Sequence, residues 1–302
     1  MASNKLDAQG IAFALASTAT WATAGIFIRW LPGWSSFAIL SGRFLIATIA
    51  LTPIVLSSRM RPELFRSLRT PAIWGLSLPM IGGYLLGTTA FQLAPVGEVT
   101  LLISTSPIFV AAYKVCSKIH ISRSEGIGTL LATVGVGLIL FPQLSADRGL
   151  SWQGSVGHFF ALSTAVLLAM YVLLLGYFAR NGKTFRSVNL VFTACLLGCG
   201  LSFLCLLVFS GPAEASSFTQ QTALVILGLG IFSTATSTLL YTIAVQRLPP
   251  LLTSALLLTE PIFAVLFASV LLKEIPSVWF GIGSLFVLSG LLSVANGARS
   301  QA

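Results

Sequence analysis

Glu260 precedes Pro261 near the middle of an apolar run that extends from Pro250 to Leu272. A carboxylate at that depth costs on the order of 3 kcal/mol if the run crosses lipid, so it needs a reason to be there. Four uses are open: binding a substrate ammonium, carrying a coupling proton, pairing with the mid-run Arg43, or a structural hydrogen bond. Two hydroxyl and amide stripes accompany it. Tyr84, Thr88 and Gln92 recur at i, i+4 and i+8, one face of a helix. Thr238, Thr242 and Gln246 repeat that spacing, with Tyr241 beside them. Trp21 and Tyr171 add planar rings within apolar sequence. Such groups suit reversible binding of a polar molecule in an apolar setting. Groups for making or breaking bonds are missing: the chain has no nucleophile elbow, no HExxH and no Gly-rich phosphate loop ending in Lys. His120 and His158 form no catalytic or metal set, so the reading is not an enzyme, with no cofactor and no metal.

The setting is lipid. Charged residues make up 8% of the 302 residues and hydrophobic ones 56%, against about 25% charged in an average soluble domain. That much apolar surface finds its solvent in a bilayer. The net charge of +9 is read as loop charge that orients the chain, with no nucleic-acid partner. Cys116, Cys195, Cys199 and Cys205 all fall in apolar runs and are read as small buried residues.

Ten apolar stretches are long enough to cross, at 10–30, 35–58, 71–93, 96–117, 125–141, 152–178, 187–210, 220–245, 250–272 and 276–296. The first is read as a retained span rather than a cleaved signal. Placing the N-terminus in the cytoplasm puts twelve Lys and Arg on the inner side and three on the outer, with Arg43 and Lys114 inside spans. Both termini are therefore expected to be cytoplasmic, with Lys114 snorkelling to that side.

A shift of 154 lays Ala90, Gln92, Pro95, Leu102, Thr105, Pro107, Ile108 and Phe109 over Ala244, Gln246, Pro249, Leu256, Thr259, Pro261, Ile262 and Phe263. The chain thus reads as two diverged units, 1–146 and 147–302, each of five spans. Five is odd, so the second unit enters the membrane upside down. The expected fold is an all-α integral membrane protein of ten transmembrane helices, two inverted-topology five-helix repeats around a central cavity. The cavity candidates are Trp21, Tyr84, Thr88, Gln92, Tyr171, Thr238, Tyr241, Thr242, Gln246 and Glu260. Pro107 and Pro261 interrupt matched helices and are candidate hinges, or else static kinks that shape packing.

Arg43-Phe44-Leu45, Thr105-Ser106-Pro107, Glu260-Pro261-Ile262-Phe263 and the Gly-rich fifth and tenth helices resemble the EamA-type branch of the drug/metabolite transporter superfamily, over essentially the whole chain. The full sequence is similar to YddG-type amino-acid exporters of bacterial inner membranes. The resemblance implies a basket in which spans 1, 3, 4, 6, 8 and 9 line the cavity and spans 5 and 10 brace it. It implies export of aromatic and other neutral amino acids from the cytoplasm of a bacterial cell, by a chain acting as a monomer. The alternatives are an exporter of drugs or other small metabolites on the same fold, and a channel.

Overall fold

A computed structural model describes residues 7–57, 60–144, 152–182, 185–209, 219–272 and 277–301. Among them the secondary structure is helical, with no strand. The first apolar run forms α1 (Ala8–Trp21) and α2 (Ala24–Arg29), followed by α3 (Ser36–Val55) and the short α4 (Arg61–Leu68). Next come α5 (Pro71–Leu93), α6 (Val96–Ile103), α7 (Ser106–Cys116) and α8 (Arg123–Leu144). The second half holds α9 (Trp152–Arg180), α10 (Ser187–Phe209), α11 (Gln220–Gly230) and α12 (Ser237–Arg247). It ends with α13 (Pro250–Leu256), α14 (Glu260–Leu272) and α15 (Val278–Gln301).

Nine helical stretches among the described residues are long and apolar enough to cross a bilayer. α5 is not one of the nine, although its 23 residues span about 35 Å at 1.5 Å per residue. Its Tyr84, Thr88, Thr89, Gln92 and four glycines lower its hydropathy. α4 lies where the sequence suggested only a loop. Pro62 suits its first turn, Leu64 is buried, and Glu63 pairs with Arg186 at the start of the α10 segment.

The sequence sets the helix starts through caps. Asp7 accepts the backbone N–H of Gln9 at 2.9 Å and of Gly10 at 3.2 Å, and Ser35 Oγ accepts that of Ala38 at 3.2 Å. α1 begins beside the α12–α13 turn, where a Cβ on Gly10 would meet Leu248 at 2.9 Å. Near α15's other end, Ala298 lines one pocket with Pro249 and Pro250. Both chain ends therefore lie on one side of the molecule, called here the terminal side.

Packing is paired across the two halves. α5 packs on α9 as α12 packs on α1, and α3 packs on α10. The closest pair is α8 with α15. A Cβ on Gly128 would stand 2.5 Å from the Gly290 carbonyl oxygen, and one on Gly290 2.5 Å from that of Gly128. Gly135 and Gly283 oppose each other in the same way, at 2.7 and 2.5 Å. Residue number rises along α8 as it falls along α15, so the two helices run antiparallel with backbones in contact, which only glycine permits. Lys114 does not snorkel free: its ammonium meets Glu125 at 3.2 Å, a carboxylate 2% exposed at the start of α8. Large apolar side chains such as Leu207, Val208, Phe209 and Leu285 face outward, as lipid contact requires.

Candidate functional site

The helix breaks position the site. α6 ends and α7 begins around Ser104 and Thr105, with Pro107 in the first turn of α7. The second half breaks at the same repeat position, where a 3₁₀ turn (Leu257–Thr259) separates α13 from α14 and Pro261 is the second residue of α14. Proline has no N–H to close the preceding turn. In each copy a threonine hydroxyl beside the break bonds the carbonyl three residues back. Thr105 Oγ1 donates to Leu102 O at 2.6 Å, and Thr259 Oγ1 to Leu256 O at 2.8 Å.

A third break lies between α11 and α12, where Ile231–Thr236 forms a π-helical turn. Such a turn displaces carbonyls from the helical ladder, and Arg43 takes one of them, that of Ser233, together with two threonine hydroxyls. Its side chain is buried at 2% exposure. Nε donates to Thr234 Oγ1 at 2.9 Å, one terminal nitrogen to Thr88 Oγ1 at 3.3 Å, and the other to Ser233 O at 3.2 Å. The guanidinium carbon stands 4.4 Å from the Tyr84 ring centroid, within cation–π range. Arg43 is thus bound to α5 and the π turn rather than to Glu260.

These elements surround an open cavity with about 120 Å³ of space accessible to water. Seven of the ten sequence candidates line it: Trp21, Tyr84, Thr88, Tyr171, Thr238, Tyr241 and Glu260. Trp21 Nε1 donates to Tyr84 Oη at 2.9 Å, and Tyr84 Oη meets Thr238 Oγ1 at 2.5 Å. The Trp21 and Tyr241 ring centroids are 5.0 Å apart, and those of Tyr171 and Tyr241 6.4 Å. Thr242 stands behind the lining and bonds Tyr171 Oη at 2.7 Å.

Gln92 and Gln246 stand outside the lining, at helix ends. Gln92 Nε2 donates to Trp34 O at 2.8 Å, and its Oε1 accepts from Ser36. Gln246 Nε2 donates to Phe185 O at 3.0 Å. Trp34 and Phe185 each lie two residues before a helix, α3 and α10. The matched glutamines therefore fix matched linkers.

Arg43, Ser104, Thr164, Gly83 and Gly87 also line the cavity. Gly83 and Gly87 share the stripe of Tyr84 and Thr88, a signal visible in the spacing. On the terminal side the floor is Met80, Tyr171, Tyr241 and Leu257, packed on buried Ile73, Leu76, Leu175 and Val245. There α7 packs against α13. On the opposite side α6 and α14 make no comparable contact among the described residues. His158 Nε2 and Glu98 Oε2 meet on that side at 2.5 Å and tie α9 to α6.

A family model described as the EamA-like transporter family matches twice, over residues 8–141 and 155–296. The chain belongs to the EamA-like transporter family. It is accordingly a multi-pass membrane protein of a family of transporters. A solved structure, described only as the crystal structure of a protein, matches with a TM-score of 0.79 at 19% identity, over 97% of this chain and 98% of that one. At that identity the likeness is one of fold, and it runs the length of both chains. No curated protein sequence gives a significant match. Within the EamA fold, the double match falls on the two halves that place matched breaks beside one cavity.

Proposed function

We propose that this EamA-family protein exports aromatic and other neutral amino acids across a bacterial-type inner membrane by alternating access. One observation carries the reading: a single cavity drawn from both halves, with its gate-like helices packed on one side and parted on the other. α7 meets α13 on the terminal side, while their repeat counterparts α14 and α6 make no comparable contact among the described residues. A duplicated carrier has two near-equivalent ways to open, and this chain is read as resting in one of them.

The finer architecture is part of the proposal. α5 counts as the tenth crossing, its polar face turned to the cavity. Units 1–146 and 147–302 are inverted repeats, which the antiparallel α8–α15 contact supports. The loop charges put both termini in the cytoplasm, so the parted side faces outward. Pro107 and Pro261 act as the hinges. The site lies within one chain, in keeping with a working monomer.

Aromatic walls and few fixed charges favour a neutral molecule with an apolar side chain. Counterflow in proteoliposomes against twenty amino acids, with and without a pH gradient, tests this. Competition by aromatic and neutral amino acids is expected. Competition by nucleobases or drugs alone moves the chain to the alternative cargo. Flux that neither saturates nor shows trans-stimulation marks a channel.

A further inference from the structure

We infer that the cavity selects its cargo by an ammonium group, held by Glu260 beside the aromatic wall of Trp21 and Tyr241, and that a cargo carboxylate is dispensable. This rests on the proposed amino-acid transport only for its natural cargo; the binding chemistry stands on the cavity itself.

Glu260 opens α14 and lines the cavity. Among the described residues no ion pair reaches its carboxylate, and no hydrogen bond does so either. The obvious internal partner is occupied elsewhere, since three of the Arg43 bonds go to Thr234, Thr88 and Ser233. The α14 N-terminus favours negative charge at its first residue. An unpaired anion facing an apolar cavity is costly, and an arriving cation removes that cost. In the other repeat the matching residue is Ser106, buried at 1% exposure. The charge therefore serves one wall and is not required for the repeat to fold.

The rings complete the site. Thr18, one turn before Trp21, bonds Thr259, the residue before Glu260, at 2.9 Å. Trp21 and Glu260 therefore stand on adjoining parts of one wall. Trp21 and Tyr241, 5.0 Å apart at 55°, both line the cavity and give this wall an aromatic surface that favours a cation. Tyr84 is already covered by Arg43. The arginine in the lining, Arg43, already donates to Thr234, Thr88 and Ser233 and lies over the Tyr84 ring, so it is less free than Glu260 to take a cargo group.

The test compares three small molecules on the purified protein by calorimetry and by competition in counterflow: phenylalanine, phenethylamine, which lacks the carboxylate, and N-acetylphenylalanine, which lacks the ammonium. Phenethylamine should bind within about tenfold of phenylalanine, and N-acetylphenylalanine should be weaker by about 10–100-fold, the worth of a charge-assisted bond. Glu260→Gln should weaken phenethylamine by a similar factor. Glu260→Asp keeps the charge and should restore most of the affinity, which separates the effect from misfolding. Tight N-acetylphenylalanine binding overturns the inference. So does an unchanged amine affinity in a folded Glu260→Gln protein that loses only its pH-gradient dependence, or failure of both amine-bearing compounds to bind the wild type. Glu260-dependent binding of phenethylamine without amino-acid counterflow keeps the ammonium site and removes the amino-acid reading.

Discussion

α6–α7 and α13–α14 descend from one sequence and break at the same threonine and proline, yet they are packed differently. α13 and the 3₁₀ turn after it are buried from Leu251 through Thr259. In α6, Leu101, Leu102 and Ile103 remain partly exposed. Thr259 bonds across to Thr18 at 2.9 Å as well as back to Leu256. Among the described residues the Thr105 hydroxyl bonds back to Leu102 alone. Both breaks satisfy their local backbone, so local sequence does not explain the difference. Each break packs on the first long helix of the other half, α13–α14 on α1 and α6–α7 on α9; what differs is the depth of burial and the cross-helix bond to Thr18. On the proposed alternating-access reading, such a difference belongs to the conformational state rather than to the parts.

The strongest way to break this comparison is to hold the docked side shut. Val110 of α7 and Leu251 of α13 are buried in one cluster. In a background free of the four native cysteines, an oxidised crosslink between Val110→Cys and Leu251→Cys should abolish counterflow. Reduction should restore it, and elution as a folded monomer should not change. Undiminished flux through the crosslinked protein would show that α7 and α13 need not part.

The bracing helices should tolerate added volume away from their shared seam and not within it. Gly135→Leu or Gly283→Leu drives a side chain into the opposing backbone, where even a Cβ would lie 2.5–2.7 Å from a carbonyl oxygen. Thermal unfolding should show a loss of about 1–3 kcal/mol or more. Gly137 meets nothing within 4 Å, and Gly137→Ala should leave stability unchanged or raise it by about 0.5–1 kcal/mol. Equal losses at Gly135 and Gly137 would remove the case for backbone contact between α8 and α15.

The membrane class and the positions of the helix breaks were legible because they rest on local quantities: run length, proline and loop charge. The partner of Arg43 was not legible. Its acceptors lie about 190 residues away in a π turn, and residue types alone do not announce that turn. Pro79 occupies the matching place in α5, which nevertheless runs unbroken from Pro71 to Leu93, so the π turn held by the arginine belongs to the second half alone. Arg43→Ala should therefore loosen that turn. A stability loss of about 1.5–3 kcal/mol is expected. Arg43→Lys should recover little, because an ammonium cannot span three acceptors in a plane. Full stability in Arg43→Ala would show that the π turn holds itself.

The glutamine pair offers the finest comparison, since there the symmetry holds. Periodicity placed Gln92 on the stripe of Tyr84 and Thr88, correctly as to face, but eight residues of helix carry it about 12 Å along the axis. That distance takes it out of the cavity to the start of α3. Gln246 makes the same journey to the start of α10. Each alanine substitution should cost about 1 kcal/mol of stability for its lost bonds. Gln92 should be the more sensitive because it holds both Trp34 and Ser36. Neither substitution should change the concentration of substrate that half-saturates counterflow. A tenfold rise in that concentration for either variant, with stability intact, would return the residue to the cavity in some other state of the cycle and make the linker contact a feature of this state alone.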